Sequence, residues 1–262
     1  MNRRHFLSAL TTAAAVFTLG LPTAHADVLE SVGKAGVLKV AVPQDFPPFG
    51  SVGPDLKPRG YDIDMAELIA RQLGVKVELI PVTSTNRIPY LTTGKADLVI
   101  SSLGKNPDRA KVIDFSDAYA PFFNGVFGPK DMNVTQVDDL SGKVVGVTRG
   151  SVEDLELTKI APKDVTIKRF EDNNGTISAY LTGQVQLVAT GNVVAAAVND
   201  LTDLRELSAK FLIKNSPCYV GVNKGESALL AKVNAIIAAA KADGSLEAIS
   251  QKWLQQPLPE GL

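Results

Sequence analysis

Short apolar runs alternate with helix-like patterns along the first half of the chain. The runs at 37–42, 75–82 and 96–100 have the length and composition of strands buried in a parallel sheet. Apolar residues recur at helical spacing over 61–73, and Gly74 supplies a stop signal there. Strands and helices that alternate through short connections predict parallel strands with crossover helices.

The same order of elements restarts in the second half. Residues 115–130 are strand-like and are not followed by a helix, which indicates the passage out of the first unit. Strand-like and helix-like segments then alternate again, at 143–147, 152–160, 165–170, 176–181 and 185–189. A strand-like segment at 219–222 is predicted as the return crossing, before helical segments at 229–240 and 246–253. The pattern predicts an α/β fold of two similar units, and 262 residues suffice for both.

The first 26 residues have the form of an export signal. A basic start precedes an apolar stretch at about 7–21, and Ala24-His25-Ala26 is a small-x-small cleavage site. The pair Arg3-Arg4 resembles a twin-arginine signal, although an ordinary secretory signal with two arginines has the same form. We expect this segment to be removed and the mature protein to be soluble in the periplasm, since no later apolar segment is long enough to span a bilayer.

Composition removes several classes of function. The formal charge is −1, so the chain lacks the basic surface that nucleic-acid binding requires. Cys218 is the single cysteine, which excludes an internal disulfide and a multi-cysteine metal site. His5 and His25 both fall in the leader, so the mature chain has no imidazole for catalysis or metal binding. Phosphate-loop and dinucleotide motifs are absent, and no pattern pairs the carboxylates. We therefore expect no cofactor, no metal and no enzymatic activity.

Two arginines occur where a helix favours the opposite charge. Arg109 follows Asn106-Pro107, a cap and a proline, and so lies in a first helical turn. The helix dipole disfavours a cation there by about 0.3–1 kcal/mol. Arg87 repeats this placement, and a bound anion would explain both. A solvated pairing with Asp108 or Asp114 would equally explain Arg109.

Loops that follow the predicted strands offer further polar groups to a ligand. In open α/β sheets, ligands bind beyond the carboxyl ends of the strands. Ser102 and Gly104 lie in such a loop and allow close approach of the backbone. The Thr-Arg-Gly-Ser loop at 148–151 opens a helix, where it can bind an anion through backbone N–H groups or serve as a plain cap. Phe46 fits either the wall of a pocket or the core.

Several motifs, in the same order, resemble the extracytoplasmic solute-binding proteins of polar amino acid ABC transporters, the family 3 type. These are VLKVAV with a Phe-Pro-Pro-Phe loop at 37–49, GYDID at 60–64, the stretch 97–117 with its arginine and Phe-Ser-Asp, and KVVGV at 143–147. The resemblance implies a two-lobed periplasmic binding protein of type II, in which each lobe is a mixed, mostly parallel sheet flanked by helices. Two hinge strands would join lobe 1, at 27–122 and 220–262, to lobe 2, at 123–219.

The resemblance also implies roles for individual residues. Arg109 matches the arginine that binds the α-carboxylate of the ligand. Ser102 and Gly104 match a loop that adds hydrogen bonds from the same lobe. Thr148 and Ser151 match the loop that closes on the carboxylate from the other lobe.

A second motif bears on the ligand side chain. The segment 83–89 is similar to glutamate/aspartate-binding members of the family. In those members the residues that match Ser84 and Arg87 bind the acidic side chain of the ligand. The resemblance therefore implies that an acidic amino acid is one candidate ligand.

The sequence departs from the family pattern at two places. Members usually hold the ligand ammonium with a carboxylate where this chain has Thr190-Gly191-Asn192, and their frequent Ser-x-Thr loop is Leu-Gly-Lys-Asn at 103–106. Asn192, Asp172 or Asp45 are candidates to replace that carboxylate. The other alternative is an organic anion without an amine.

The expected function is that of the substrate-binding component of an ABC importer. It would capture a small anionic or polar solute, such as an amino acid, by closing its two lobes. The expected partners are this ligand and the membrane subunits of the transporter, with the protein acting as a monomer. A dehydratase of the cyclohexadienyl type on the same fold, or a sensory ligand-binding module, are the alternatives.

Overall fold

The computed structural model describes residues 27–262, and the predicted leader lies outside the described residues. The first group of elements is α1 (Val28–Ala35), β1 (Val37–Val42), β2 (Asp45–Phe46), β3 (Gly50–Val52), β4 (Pro58–Arg59), α2 (Tyr61–Leu73), β5 (Lys76–Pro81), α3 (Arg87–Thr92), β6 (Leu98–Val99), α4 (Pro107–Ala110) and β7 (Ile113–Ala120). The second group is β8 (Phe123–Gly128), a 3-10 helix (Val137–Leu140), β9 (Val144–Thr148), α5 (Val152–Ile160), β10 (Thr166–Phe170), α6 (Asn173–Leu181), β11 (Leu187–Gly191), α7 (Asn192–Leu201) and β12 (Ser208–Asn215). The chain ends with β13 (Cys218–Asn223), α8 (Ser227–Ala242) and α9 (Ser245–Leu254).

Two five-stranded sheets organise these elements. The first has the order β5-β1-β6-β13-β7, in which β13 is antiparallel to both of its neighbours and the other strands share one direction. The second has the order β10-β9-β11-β8-β12, in which β8 is the antiparallel strand. A small sheet, β2-β3-β4, flanks the first group. These mixed, mostly parallel sheets confirm the predicted two-lobed α/β fold.

The chain passes between the sheets at two short segments. The outward crossing lies between β7 and β8 and contains Pro121, and the return crossing lies between β12 and β13 and contains Pro217. Cys218 and Tyr219 already pair with β7. The first sheet therefore resumes at Cys218, while the lobe boundaries implied by the resemblance, at 122/123 and 219/220, stay a prediction.

The largest apolar core lies in the first lobe and also includes Val193 and Val194 of α7. In the first lobe, α2, α8 and α9 pack against the sheet, and Tyr61, Met65 and Ile69 of α2 are fully buried on one face. Helix α2 ends at Gly74, whose φ of 71° is the left-handed conformation that glycine adopts without steric penalty. In the second lobe the sheet is covered on both sides by smaller clusters. Most of each sheet is thus covered by residues of its own lobe, and α7 packs at the junction of the two.

Candidate functional site

The candidate ligand site is a cleft between the two lobes, at the carboxyl ends of the parallel strands. Among the predicted ligand-binding residues, those in its wall are Phe46, Ser84, Arg87, Ser102, Gly104, Thr148 and Ser151. Arg109 and Asn192 are the predicted residues that lie outside this wall.

Arg87 contributes a buried cation to the wall from the first lobe. It begins helix α3 and is only 4% exposed. One guanidinium nitrogen, Nη1, donates to the Ser101 carbonyl at 2.5 Å, while Nε has no hydrogen-bond partner within residues 27–262. Burial lowers the pKa of Arg87, and the charge of Glu153 opposes that shift. The guanidinium thus retains hydrogen-bonding capacity at the cleft.

Arg109 lies behind the wall and bridges the two lobes. Asn106 caps helix α4 by accepting the Arg109 backbone N–H at 2.8 Å, as the sequence pattern indicates. The Arg109 side chain is 5% exposed, and it donates to the Gly104 carbonyl at 2.7 Å and to the Gly150 carbonyl, in the other lobe, at 2.9 Å. Burial, and then the neighbouring charge of Arg87, lower the pKa of Arg109 to about 9. This arginine therefore joins the lobes directly, through two backbone carbonyls.

A buried network behind the cleft holds the Ser102 loop. Ser102 has a φ of 40°, in the left-handed region, and its N–H donates to Asp62 Oδ2 at 2.6 Å. The Tyr119 hydroxyl donates to Asp62 Oδ1 at 2.6 Å, and the Tyr61 hydroxyl donates to the Tyr119 carbonyl at 2.8 Å. The hydrogen bond that Asp62 accepts from the Ser102 N–H holds Ser102 in this unfavourable backbone conformation. Sequence reasoning did not single out Asp62 as part of the site.

Asp62 should make the stability of the protein depend on pH. Burial raises its pKa to about 7, although the Tyr119 hydroxyl, the Ser102 N–H and the charge of Arg87 oppose this shift. The folded state then keeps a proton that the unfolded chain loses above about pH 4. We expect the free energy of unfolding to fall as the pH rises from about 4 to about 7, with at most about 1.4 kcal/mol per pH unit from this one group.

Urea unfolding at pH 5 and pH 7 would measure this dependence. The Asp62→Asn variant should lose less unfolding free energy between the two pH values than the wild type, because amides do not titrate. Burial also raises the pKa values of Glu153 and Asp97. Both groups remain in the variant, so the difference between the two slopes isolates Asp62. Equal slopes would contradict the prediction.

The loop of the second lobe uses its hydroxyl groups within that lobe. Ser151 caps helix α5 by accepting the Asp154 N–H at 3.1 Å. Thr148 is hydrogen-bonded to Asn173 and to Thr176, each at 2.8 Å. Ser151 is therefore a helix cap, one of the two roles that the sequence allows for this loop. It also lies in the cleft wall.

Gly150 allows the second lobe to come close to the first. Its φ is 72°, and a Cβ atom at this position would lie 3.3 Å from Thr85 Cγ2 of the first lobe. Its carbonyl accepts the cross-cleft bond from Arg109. Glycine at this position therefore permits both the loop conformation and the approach of the lobes.

Asp45 forms a second direct connection across the cleft. Its Oδ2 accepts the backbone N–H of Asn173 at 2.6 Å, and its Oδ1 accepts the Asn173 side-chain amide at 3.2 Å. Asn173 is the first residue of α6, so a carboxylate of one lobe meets a helix N-terminus of the other. This contact exists only when the lobes are together.

Glu153 lies in the cleft wall, although no motif in the sequence singles it out. It lies in the first turn of α5 and is 5% exposed. Burial raises its pKa, while its own backbone N–H, the Ser151 hydroxyl and the charges of Arg87 and Arg109 act in the opposite direction. The second lobe therefore presents a buried carboxylate to the cleft, opposite the arginines of the first lobe.

Asn192 lies at the outward crossing, where its Oδ1 accepts the Phe123 N–H at 3.1 Å. Thr190 is in the cleft wall instead. A Cβ atom at Gly191 would lie 2.1 Å from the Phe122 ring, which packs against Phe46 and Phe49. The segment 190–192 thus shapes the crossing and adds no charge to the cleft.

Two further findings concern residues 27–262. No group of three or more His, Cys, Asp or Glu side chains in this part of the chain is arranged to hold a metal ion. None of its helices is both long enough and apolar enough to cross a bilayer.

Comparison with known proteins places the chain among binding proteins. The ABC transporter glutamine-binding protein GlnH of Bacillus subtilis is 29% identical over 201 residues, which are 75% of this chain and 73% of that protein. The glutamate/aspartate import solute-binding protein of Salmonella typhimurium is 29% identical over 281 residues, covering 97% of this chain and 90% of the relative. The crystal structure of an ancestral amino acid-binding protein, described as a precursor of cyclohexadienyl dehydratase, matches with a TM-score of 0.80 at 30% identity. That match covers 87% of this chain and 99% of the other.

Residues 38–256 match the profile of the bacterial extracellular solute-binding proteins, family 3. The match covers both lobes and the cleft between them. The mixed sheets, the two crossings and the polar cleft agree with that assignment. The chain therefore belongs to family 3 of the bacterial extracellular solute-binding proteins.

Proposed function

We propose that this protein is the substrate-binding component of an ABC importer and that it captures an amino acid with an acidic side chain in the cleft. The observation that carries the proposal is the buried guanidinium of Arg87, whose Nε has no partner among the described residues. A buried cation with an unpaired donor is costly, and a ligand carboxylate would relieve that cost. Ser84, beside Arg87 in the wall, offers a hydroxyl to the same ligand group.

Closure of the lobes would supply the remaining affinity. A charge-assisted hydrogen bond contributes about 1.5–3 kcal/mol, whereas micromolar binding needs about 8 kcal/mol. The ligand populates the closed form only if it binds that form better than the open one. Contacts from Thr148 and the α5 N-terminus would provide this difference. The contacts of Arg109 and Asp45 with the second lobe would add to it.

The cellular part of the proposal follows from the sequence and the family. The predicted leader at 1–26, with its twin-arginine pair, would direct export to the periplasm. There the protein, as a monomer without cofactor or metal, would deliver its ligand unchanged to the membrane subunits of the transporter. The glutamine- and glutamate/aspartate-binding relatives support an amino acid as cargo.

A thermal-shift screen tests the ligand class. The mature protein is unfolded and refolded to remove carried-over ligand, then mixed with L-glutamate, L-aspartate, L-glutamine, L-arginine or glutarate. A ligand at 100 times its Kd stabilises the folded state by about 2.7 kcal/mol. We expect the largest rise in Tm with L-glutamate or L-aspartate. A rise with L-arginine alone would contradict the acidic side chain.

A second candidate is a dehydratase-like enzyme on the same fold. It is favoured by the structural neighbour described as a precursor of cyclohexadienyl dehydratase and by the buried acid Glu153 in the cleft. Incubation of the pure protein with prephenate or arogenate distinguishes the two, since an enzyme forms product and a binding protein returns its ligand unchanged. A sensory module would have the same pocket, and its genes would lie beside a receptor instead of transporter subunits.

A further inference from the structure

The cleft contains two opposite buried charges on opposite walls. Arg87 belongs to the first lobe and Glu153 to the second. Glu153 takes part in none of the ion pairs formed among the described residues, all of which have N···O distances of 4.0 Å or less. The two charges therefore face the same space without neutralising each other through direct contact.

We propose that Glu153 binds a cationic amine of the ligand and so selects amino acids over organic anions that lack an amine. This inference rests on the proposed function. A ligand that places a carboxylate at Arg87 and an ammonium at Glu153 would compensate both charges at once. Ionised groups that lose water on closure need such partners, because an uncompensated buried charge is strongly unfavourable.

The other carboxylates near the cleft are already engaged by protein groups. Asp45 accepts two hydrogen bonds from Asn173. Asp154 accepts the Arg169 guanidinium at 2.8 Å and the Gly150 N–H at 3.0 Å. Asp172 caps α6 by accepting the Gly175 N–H.

The charges of Arg87 and Arg109 act on Glu153 without a direct ion pair, and the groups that donate hydrogen bonds to it are uncharged. These groups are its own backbone N–H and the Ser151 hydroxyl. Glu153 is thus the wall carboxylate that remains to bind an ammonium group. The lack of a carboxylate at 190–192 is therefore compatible with a ligand that has an amine.

A purely electrostatic role for Glu153 predicts a different result. If the carboxylate only offset the charges of Arg87 and Arg109, its removal would strengthen the binding of any anion, with or without an amine. If it binds the amine, removal weakens binding only of ligands that carry that group. The comparison of two ligands that differ by the amine therefore separates these roles.

The experiment is a calorimetric titration of wild type and Glu153→Gln with L-glutamate and with glutarate, its analogue without the amine. Should the thermal-shift screen favour another amino acid, that ligand and its deaminated analogue replace the pair. We expect the Kd for the amino acid to rise about 10- to 100-fold in Glu153→Gln, as for loss of one charge-assisted hydrogen bond. The Kd for the analogue should stay within about twofold or fall.

Glu156→Gln is the matched control. Glu156 lies on the same helix, and its carboxylate is within reach of Lys159 and Lys214, at 3.4 and 3.5 Å. This control should leave both Kd values within about twofold, since a partly exposed ion pair contributes little. Glu153→Asp, which keeps the charge on a shorter side chain, should show a smaller loss with the amino acid and none with the analogue. Circular dichroism and urea unfolding establish that each variant is folded.

The outcomes distinguish this inference from the proposed function. An unchanged Kd for the amino acid in Glu153→Gln would overturn the role of Glu153 and leave the amino acid ligand intact. Equal tightening of both ligands would also overturn it, in favour of simple charge balance. A wild type that binds glutarate and no amino acid would instead overturn the proposed amino acid cargo, and the inference with it.

Discussion

Replacing Arg87 with methionine is expected to raise the Kd for the ligand about 100-fold or more. Methionine fills a similar volume but removes the cation whose Nε is unpartnered at the cleft. It also removes one of the two cationic charges that act on Glu153, so the cleft would attract an anionic ligand less strongly. Isothermal titration calorimetry with the best ligand from the thermal-shift screen measures this loss.

Arg149→Met is the control for that substitution. Arg149 lies in the same loop as Gly150 and Ser151, but its side chain is 46% exposed and pairs with Glu171 at the surface. A surface ion pair of this kind contributes about 0–1 kcal/mol, so ligand affinity should stay within a few-fold of wild type. Ligand affinity that survives in Arg87→Met would contradict the role of Arg87.

Replacing Arg109 with methionine is expected to weaken ligand binding about 10- to 100-fold by acting on closure. The variant loses the hydrogen bond from Arg109 to the Gly150 carbonyl, which forms only when the lobes are together. Small-angle X-ray scattering should show a smaller decrease in the radius of gyration on adding ligand at the wild-type saturating concentration. Calorimetry on the same samples reports the loss of affinity.

Arg205→Met separates closure from general stability. Arg205 also binds backbone carbonyls, those of Tyr180 and Val185, but all of these groups belong to the second lobe. Its replacement should lower the free energy of unfolding while leaving the ligand-induced compaction intact. A full compaction in Arg109→Met at wild-type affinity would show that the bond to Gly150 contributes nothing to closure.

Much of the fold can be predicted from the sequence because the signals are local. Apolar runs of strand length, separated by helical periodicity, define both lobes, and Pro121 interrupts the pattern where the chain crosses. The anomalous placements of Arg87 and Arg109 in first helical turns indicate a polar site. Both arginines are buried at or behind one cleft wall, and the bound anion that would explain these placements stays a prediction.

The remaining features depend on contacts between distant residues. Glu153 and Asp154 are adjacent acids in one helical turn, and both serve equally well as partners of the helix dipole. The fold presents Glu153 to the cleft and Asp154 to Arg169, and no pattern in the sequence distinguishes the two. Asp62 belongs to a recognisable motif, yet its partners Ser102 and Tyr119 are 40 and 57 residues away. Hydrogen bonds over such separations are not encoded in periodicity.

The prolines in both crossings bear on the entropy of ligand capture. Pro121 and Pro217 fix one backbone torsion in each of the two segments that join the lobes, and each also restricts the residue before it. In an open form, the lobes would accordingly sample a narrower range of orientations than crossings without proline would allow. Less orientational freedom is then lost when the cleft shuts, so a larger share of the contact energy remains as affinity. If the lobes close on a ligand as proposed, the prolines preorganise the two crossings for that closure.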